Sequence, residues 1–262
     1  TSGFPSTSVA TIAHDQIDAD EFLQLAGSNP DDREHLNWEA GELREALFDA
    51  PSGPVYPYVV ATVSQQPDGT LAHFGCGPNL QGGVVTLCTC KHLMRSYSAF
   101  RPGQTVWVAG VTPGGTARQR TRHLFYLMKV GIRAVSQADM WRALPEDVRQ
   151  AKSARHHLLG DLFEPLREDL DGPDRWNAAS YHAPRPGHSH DGGTPPGWHR
   201  DIEAAYNGRR PMLIAGEPEF TWTWNRPLVK LREGAGRLPR NPTSSASIAD
   251  FADRLVPDGS RW

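Results

Sequence analysis

Four side chains with sulfur or imidazole donor atoms lie near one another in the chain: Cys76, Cys88, Cys90 and His92. Thiolate and imidazole groups are the usual ligands of structural zinc. Such sites usually contain C-x2-C, because a turn must bring both sulfurs to one ion, whereas the spacing here is C-x-C. The sequence therefore favours cysteines that are buried as small apolar side chains. Zinc is the alternative, and no other cofactor is expected.

Two catalytic hypotheses involve the same region. Cys90 is followed by the cations Lys91 and His92, and a nearby cation lowers a thiol pKa and so favours a nucleophile, although no partner pattern supports one. Alternatively, Lys91, Asp161 and His199 would meet in one pocket of an enzyme that acts on a nucleotide or modified base. Lys91 would hold an anionic group there, and Asp161 or His199 would move protons.

The charge pattern points to phosphate. No acidic residue lies between Asp68 and Asp139, although acids slightly outnumber bases overall and the formal net charge is −3. This window, which contains bases but no acids, predicts a local electropositive face. Such a face attracts phosphate, because each Lys or Arg that neutralises a phosphate releases counterions. The alternative is that its bases pair with acids of the flanking segments 31–45 and 161–174. The basic residues of the window are Lys91, Arg95, Arg101, Arg118, Arg120, Arg122, Lys129 and Arg133.

Aromatic and glycine-rich stretches add possible ligand contacts. Trp222 and Trp224 alternate along one segment, so both indoles lie on one side and could stack a base, at roughly 1–3 kcal/mol per base. They could equally belong to the core. Asn79 lies in the glycine-rich stretch 75–83, whose backbone N–H groups could approach a ligand. That stretch does not match the phosphate-binding G-x-x-x-x-G-K-[ST] pattern, because Val84 follows Gly83.

The elements that position these residues follow from hydrophobic periodicity. Helices are predicted at 15–26, 31–50, 136–144, 145–159 with Lys152 facing outward, and 246–255. Strands are predicted at 56–64, 84–90, 104–111, 123–134 and 211–215, with an extended aromatic segment at 221–231. The order indicates an α+β fold with a compact, barrel-like mixed sheet and flanking helices. We divide the chain into an N-terminal helical extension (1–54), the α+β domain (55–232), and a linker with a short C-terminal helix (233–262).

Composition excludes some classes. The chain of 262 residues has 22 prolines and 25 glycines, so loops are extensive and one large domain with appendages is expected. Its three cysteines are too few and too clustered for a secreted disulfide framework. The sequence has no long apolar run and no pattern of a signal peptide, so we expect a cytoplasmic protein without a membrane partner.

The motifs together resemble a known family. The segments Tyr58-Val59-Val60, Gly82-Gly83, Thr86-Leu87-Cys88-Thr89-Cys90-Lys91 and Val106-Trp107-Val108-Ala109-Gly110 look like the second of the nucleotide-modification-associated domains. Proteins of this family are predicted partners of DNA base-modification systems in bacteria and phages. The resemblance spans roughly 56–231 and equates the family's C-K pair with Cys90-Lys91 and its downstream basic residue with Arg95. The long insertion after Tyr181 and the N-terminal extension depart from the family pattern.

The resemblance implies a PUA/EVE-like fold, similar to the barrel-like domains that bind modified bases or RNA. The expected function is a nucleic-acid or modified-nucleotide binding module associated with base modification or phage defence. The alternatives are the enzyme described above and a protein-interaction module that uses 1–54 and 183–198. The residues expected to contact nucleic acid or another ligand are Asn79, Thr89, Lys91, Arg95, Trp107, Arg118, Arg120, Arg122, Trp222 and Trp224.

Overall fold

A computed structural model describes residues 35–73, 76–114, 122–153, 161–184, 193–205, 209–232 and 246–259. The helices are α1 Ala40–Phe48, α2 His92–Arg95, α3 Gln137–Ala143, α4 Glu146–Lys152, α5 His199–Glu203 and α6 Ile248–Ala252. The strands are β1 Pro54–Val59, β2 Val63–Gln65, β3 Leu71–His73, β4 Thr86–Leu87, β5 Trp107–Val111, β6 Arg122–Ala134, β7 Leu213–Thr223, β8 Val229–Leu231, β9 Ala246–Ser247 and β10 Leu255–Pro257.

The main sheet is mixed, and β6 is its central strand. β6 pairs antiparallel with β5, with β7 and, through its first two residues, with β8. The strand order is β10-β8-β6-β5-β1-β9, with β1 parallel to β5 and β4 joined through β7. In the described part of the chain, the end strands β9 and β10 do not pair with each other. The α+β class is therefore confirmed, but the sheet is not closed into the expected barrel.

A bulge in β6 explains how its side chains are distributed over the two faces of the sheet. Gly110 of β5 pairs with Tyr126 and Val111 pairs with Leu124, so the register skips Phe125. Tyr126 and Met128 consequently pack on one face, while Leu124 lies on the other face. Alternation across a strand changes phase at such a bulge. Uninterrupted alternation along 123–134 would place all three side chains on one face.

Each face of the sheet is covered by a different part of the chain. Helices α1 and α6 cover the face that carries Trp107 and Trp222. The segment around 80–100, including α2, covers the opposite face, which carries Tyr58 and Tyr126. In addition, β9 pairs with β1, and β10 pairs with β8. The described residues before 55 and after 245 thus share one core with the sheet instead of forming separate appendages.

Residues 135–212 leave the sheet and return to it at neighbouring points, because Ala134 pairs with Leu213. We call residues 135–212 the excursion. It contains α3, α4 and α5. Its own apolar cluster consists of Ala138, Phe163, Leu170, Ala178, Tyr181, Trp198 and Ile202. The excursion is therefore an elaborated connection between two adjacent antiparallel strands.

Several predicted boundaries differ from those of the structure. The strand expected at 84–90 is reduced to β4, and the strand at 56–64 is divided into β1 and β2. The strand expected at 211–215 extends through Thr223, and the first residues described from the 31–50 helix are not helical. The predicted helix at 15–26 and the linker at 234–243 lie outside the described residues. Within the described ranges, no helix has the length and apolar character needed to cross a membrane.

Candidate functional site

Asp161 fixes the chain that follows β4. Its Oδ2 accepts a 2.6 Å hydrogen bond from the Thr86 hydroxyl. Its Oδ1 accepts bonds from the Cys88 amide at 2.8 Å and from the Thr89 amide and hydroxyl at 3.2 and 3.3 Å. Asp161, Thr86 and Thr89 are all buried, so these bonds replace solvation of the carboxylate. Asp161 therefore positions the chain after β4. The Thr89 hydroxyl is bonded to Asp161, so the expected contact between Thr89 and a ligand is not supported.

Arg95 holds the other end of the same segment. Its Nε donates to the Cys90 carbonyl at 2.8 Å, its Nη2 to the Cys88 carbonyl at 2.8 Å and its Nη1 to the Met212 carbonyl at 2.5 Å. The side chain is fully buried, and this burial lowers the pKa of Arg95, against the opposing effects of Cys88 and Asp161. The expected phosphate contact by Arg95 is therefore wrong for this conformation, because every guanidinium nitrogen faces a main-chain carbonyl.

Lys91 lies between these two anchors in a left-handed backbone conformation. Its φ is 58° and its ψ is 38°, which are uncommon values for a residue with a Cβ. Its carbonyl accepts the Arg95 amide hydrogen bond at 3.0 Å, which begins α2. The ammonium lies 4.8 Å from the centroid of the Tyr58 ring, and Lys91 is half-buried. The buried bonds of Asp161 and Arg95 thus impose a strained conformation on a partly exposed basic residue.

Two tyrosines form the buried surface beneath Lys91. The Tyr126 hydroxyl donates a 2.9 Å hydrogen bond to the Tyr58 hydroxyl, and both rings are buried. Burial raises the pKa of both tyrosines above the ordinary phenol value, so both are neutral at physiological pH. Lys91 therefore faces the π-system of an uncharged ring, which favours a cation near its face.

The cysteines do not share one site. The strand ends at Leu87, so Cys88 packs in the cluster of Val84 and Ala134 while Cys90 packs against the cluster of Tyr58. Continued alternation along the strand expected at 84–90 would place both side chains on one face, and the structure does not have this arrangement. Cys76 Sγ instead lies 3.7 Å from Cys90 Sγ, within hydrogen-bonding distance for sulfur. Over the ranges that the structure describes, no three His, Cys, Asp or Glu side chains converge as metal ligands.

The thiol environments keep Cys88 and Cys90 mostly protonated at neutral pH. The hydrogen bond with Cys76 and burial raise the pKa of Cys90 well above the ordinary thiol value. Burial, together with the charge of Asp161, raises the pKa of Cys88. A raised pKa lowers the thiolate fraction at neutral pH, and the thiolate is the nucleophilic form.

His92 contacts α5 through Asp201, not through His199. The distance from His92 Nε2 to Asp201 Oδ1 is 3.5 Å, and Asp201 is buried. The His199 ring lies edge-on to Trp198 at a centroid distance of 4.3 Å. No described contact joins His199 to Lys91 or Asp161, so the expected convergence of those three groups receives no support from the described contacts.

Lys152 and Asn79 form a second buried polar pair. Lys152 Nζ donates to the Asn79 carbonyl at 2.9 Å, to Asn79 Oδ1 at 3.3 Å and to the Val84 carbonyl. The Asn79 amide donates to the Lys152 carbonyl at 3.4 Å. Both residues are fully buried, so Lys152 does not face outward as its helix pattern predicted. The contact between Asn79 and a ligand is likewise not supported, since its side chain is bonded inside the protein.

The three tryptophans expected to stack a base lie in the core. Trp107, Trp222 and Trp224 are at most 2% exposed. The Trp107 indole donates to the Pro51 carbonyl at 3.1 Å, and the Trp224 indole donates to the Trp38 carbonyl at 2.8 Å. The Trp222 indole nitrogen has no hydrogen-bond partner among the described residues. A base could stack on these rings only if the core opened. The structure therefore agrees with the alternative in which these tryptophans belong to the core.

Many bases of the acid-free window are bonded within the protein. Lys129 forms a 2.5 Å ion pair with Glu217, and His123 contacts Asp258 at 3.1 Å. Arg122 donates to the Thr112 carbonyl at 3.3 Å. Pairing therefore occurs as the alternative predicted, and the acids of these two described pairs lie in β7 and in the C-terminal segment. Arg118 and Arg120, two of the expected phosphate contacts, lie outside the described residues.

A second basic group surrounds Trp176. The guanidinium carbon of Arg210 lies 3.7 Å from the ring centroid and that of Arg175 lies 5.3 Å from it. Arg101 donates to the Arg210 carbonyl at 3.4 Å and to the Met212 sulfur at 3.3 Å. Burial and the charge of Arg175 both lower the pKa of Arg210. We call Arg101, Arg175, Trp176 and Arg210 the Trp176 cluster.

No family model, curated protein or solved structure matches this chain. The likeness to the nucleotide-modification-associated family therefore rests on the motifs quoted above.

Proposed function

We propose that this chain is a nucleic-acid or modified-nucleotide binding module associated with DNA base modification or with defence systems that respond to it. The observation that carries the proposal is the left-handed conformation of Lys91. Among the described non-glycine residues, only Asn37 and Lys91 have positive φ. Asparagine tolerates this region, whereas lysine adopts it at a cost of order 1–3 kcal/mol when the surroundings impose it.

The main chain around Lys91 is preorganised for a ligand. The buried Asp161 and Arg95 side chains hold the residues just before Lys91, and the Arg95 amide bond to the Lys91 carbonyl fixes the start of α2 just after it. Lysine is a compact point charge that suits a phosphate oxygen, and a main chain already fixed in position loses less entropy when the ligand binds. The segment also contains the Cys90-Lys91 pair on which the family resemblance depends. The same proposal includes a PUA/EVE-like arrangement of the strands.

The Trp176 cluster supplies a second group of cations, although Arg175 also pairs with Asp139 at 3.4 Å and with Asp171 at 3.6 Å. Arg95 donates to the Met212 carbonyl, and Arg101 contacts the Met212 sulfur and the carbonyl of Arg210. Met212 contacts Arg95 of α2, and the nearby Arg210 lies against Trp176, so this short segment links α2 to the Trp176 cluster. We infer that a polynucleotide contacts both Lys91 and the Trp176 cluster, each with a different phosphate.

The two alternatives have less support in the described residues. An enzyme that uses Asp161 as its proton carrier would need a carboxylate accessible to substrate, whereas Asp161 is buried and accepts four hydrogen bonds. A protein-interaction module would use 1–54 and 183–198, which are largely outside the described residues.

A titration over a salt series tests the proposal. The ligands are unmodified DNA, DNA that contains hypermodified bases, and RNA, and the variants are Lys91→Gln and Arg210→Gln. Each variant should weaken binding and reduce the dependence of log K on log salt by about one, because one phosphate contact is lost. Arg44→Gln is the matched control: Arg44 is exposed on α1, which covers the opposite face of the sheet. Absence of binding at low salt, or equal slopes for Lys91→Gln and the wild type, would overturn the proposal.

A further inference from the structure

The sulfur atoms of Cys76 and Cys90 are in contact although neither residue belongs to a strand. Their separation of 3.7 Å exceeds the roughly 2.05 Å of a disulfide bond, so the two sulfur atoms must approach each other before they bond. All three cysteines of the chain are thiols in this structure. Cys76 and Cys90 lie 14 residues apart in sequence, so a bond between them would close a short loop.

Burial distinguishes this pair from Cys88. Cys88 is fully buried in the cluster that contains Val84 and Leu162, and its amide is bonded to Asp161. Cys76 is 5% exposed and Cys90 is half-buried. A small oxidant therefore reaches Cys90 first, and the thiol that is in contact with Cys90 is Cys76.

We propose that Cys76 and Cys90 are a redox-active dithiol that closes into an intramolecular disulfide by exchange with a low-molecular-weight disulfide, with Cys90 as the entry thiol and Cys76 as the resolving thiol. This chemistry is independent of the proposed function. Cys88 takes no part in it.

The exchange proceeds in two balanced steps. The Cys90 thiolate attacks one sulfur of oxidised glutathione, a protein–glutathione disulfide forms, and a glutathione thiolate leaves and takes up the proton that Cys90 released. The Cys76 thiolate then attacks Cys90 Sγ, the Sγ–Sγ bond forms, and the second glutathione leaves with the proton from Cys76. The two cysteines lose two electrons and two protons, and one glutathione disulfide becomes two thiols. Because the pKa of Cys90 is raised, the first step should accelerate as pH increases.

The bond would also act on Lys91. The Cys90 carbonyl accepts the Arg95 Nε hydrogen bond, and Lys91 is the next residue in the chain. Movement of Cys90 Sγ towards Cys76 therefore acts on the backbone that fixes Lys91. If the proposed function is correct, oxidation would change nucleic-acid affinity, and this consequence alone rests on that function.

Oxidised glutathione and the folded full-length chain provide the test. The wild type and three variants, Cys76→Ala, Cys88→Ala and Cys90→Ala, are oxidised, quenched with acid, alkylated in denaturant and weighed by mass spectrometry. Circular dichroism of each variant reports whether it is folded. Chymotryptic cleavage after Leu80 and Leu87 separates the Cys76 peptide from the Cys90 peptide, which trypsin does not do because no Lys or Arg lies between Arg44 and Lys91.

The expected result is a wild type that is lighter by two hydrogen atoms before alkylation and that retains one alkylatable thiol. Cys88→Ala should form the same bond, and Cys76→Ala should accumulate glutathione on Cys90. A bond that includes Cys88 would overturn the proposal. So would a wild type that stays fully reduced under conditions in which Cys90 reacts with an alkylating agent. DNA affinity measured on the oxidised protein is a separate readout, so loss of the proposed function would leave the mass result intact.

Discussion

The Thr86 hydroxyl donates a 2.6 Å hydrogen bond to Asp161 across 75 residues of sequence. Thr86 begins β4, which pairs with β7, and Asp161 lies in the excursion. Both residues are fully buried. This bond therefore joins the excursion to the sheet at the segment that positions Lys91.

Asp161→Asn should destabilise the protein by about 3 kcal/mol. An amide cannot accept all four bonds, and the buried charge of Arg95 would lose a compensating anion. Thr86→Val removes one donor and should cost about 1–2 kcal/mol. Urea unfolding measures both changes. Equal stability of Asp161→Asn and the wild type would contradict the bonding described here.

Arg95→Lys separates a structural role from a ligand contact. An ammonium cannot reach all three carbonyls that the planar guanidinium satisfies, so the free energy of unfolding should fall by about 2–3 kcal/mol. At temperatures where the variant is folded, the salt dependence of nucleic-acid binding should match that of the wild type. A reduced salt slope with unchanged stability would instead identify Arg95 as a phosphate contact.

Trp222→Phe and Trp224→Phe form a matched pair in one core cluster. Both remove a similar volume, but only the Trp224 indole has a described partner, the Trp38 carbonyl. Trp224→Phe should therefore lower the free energy of unfolding by about 1 kcal/mol more than Trp222→Phe. Thermal unfolding followed by far-ultraviolet circular dichroism avoids dependence on tryptophan fluorescence. The opposite order would show that the Trp222 N–H contributes more to the free energy of unfolding than the Trp224 N–H does.

Gly110→Ala should be severely destabilising because β5 approaches β6 closely at this position. An added Cβ would lie 2.2 Å from Cε1 of Tyr126 and 3.0 Å from a Val60 methyl. The buried Tyr126 ring would have to move, at a cost of about 3 kcal/mol or more. Gly41→Ala is the control: it lies in α1 with no neighbouring atom within 4 Å, and should stabilise by up to about 1 kcal/mol. Melting temperatures compare the two substitutions.

Asp258 should make a small contribution to stability that disappears in acid. Burial raises its pKa, but hydrogen bonds from Lys230 and His123 outweigh burial and lower it below the ordinary value of 3.8. A lowered carboxyl pKa in the folded state adds stability above pH 3.8, and this stability is lost as the pH falls through the folded pKa. The side chain is 43% exposed, so solvent screening limits the effect to below about 1 kcal/mol.

The measurement is the stability difference between the wild type and Asp258→Asn as a function of pH. The variant should be less stable near pH 7 and should approach the wild type in acid. A difference that does not change with pH would exclude the ionic contribution.

The sequence predicts elements best where a long pattern is unambiguous. The strand expected at 123–134 is β6, which begins one residue earlier and ends at the same residue, because its thirteen residues are mainly apolar and β-favouring and fit no competing pattern. The helix expected at 136–144 is α3, whose N-cap Ser136 accepts the Asp139 amide hydrogen bond. The phase change at Phe125 was not predictable, since the bulge depends on the register with β5.

The candidate site was predicted less well, and for a physical reason. Cys90-Lys91 marks the correct segment, but the bonds of Asp161 to it connect parts of the chain that no local pattern joins. Lys152 follows a helical pattern that places it at the surface, yet it is buried because it finds carbonyls of distant loops. Trp222 and Trp224 have the same spacing whether they stack on a base or pack against α1. Residue type and spacing do not show which hydrogen-bond acceptors or packing partners the tertiary structure brings close to a side chain.

The excursion has a consequence for how this protein can evolve. Its two ends are adjacent because Ala134 pairs with Leu213, so a short turn could in principle replace residues 135–212. Such a deletion would remove Asp161 and leave the buried Thr86 hydroxyl and the Cys88 and Thr89 amides without their acceptor. Positions 86 and 161 should therefore covary among homologues, and lineages that lose the excursion should also replace the Thr86–Thr89 segment.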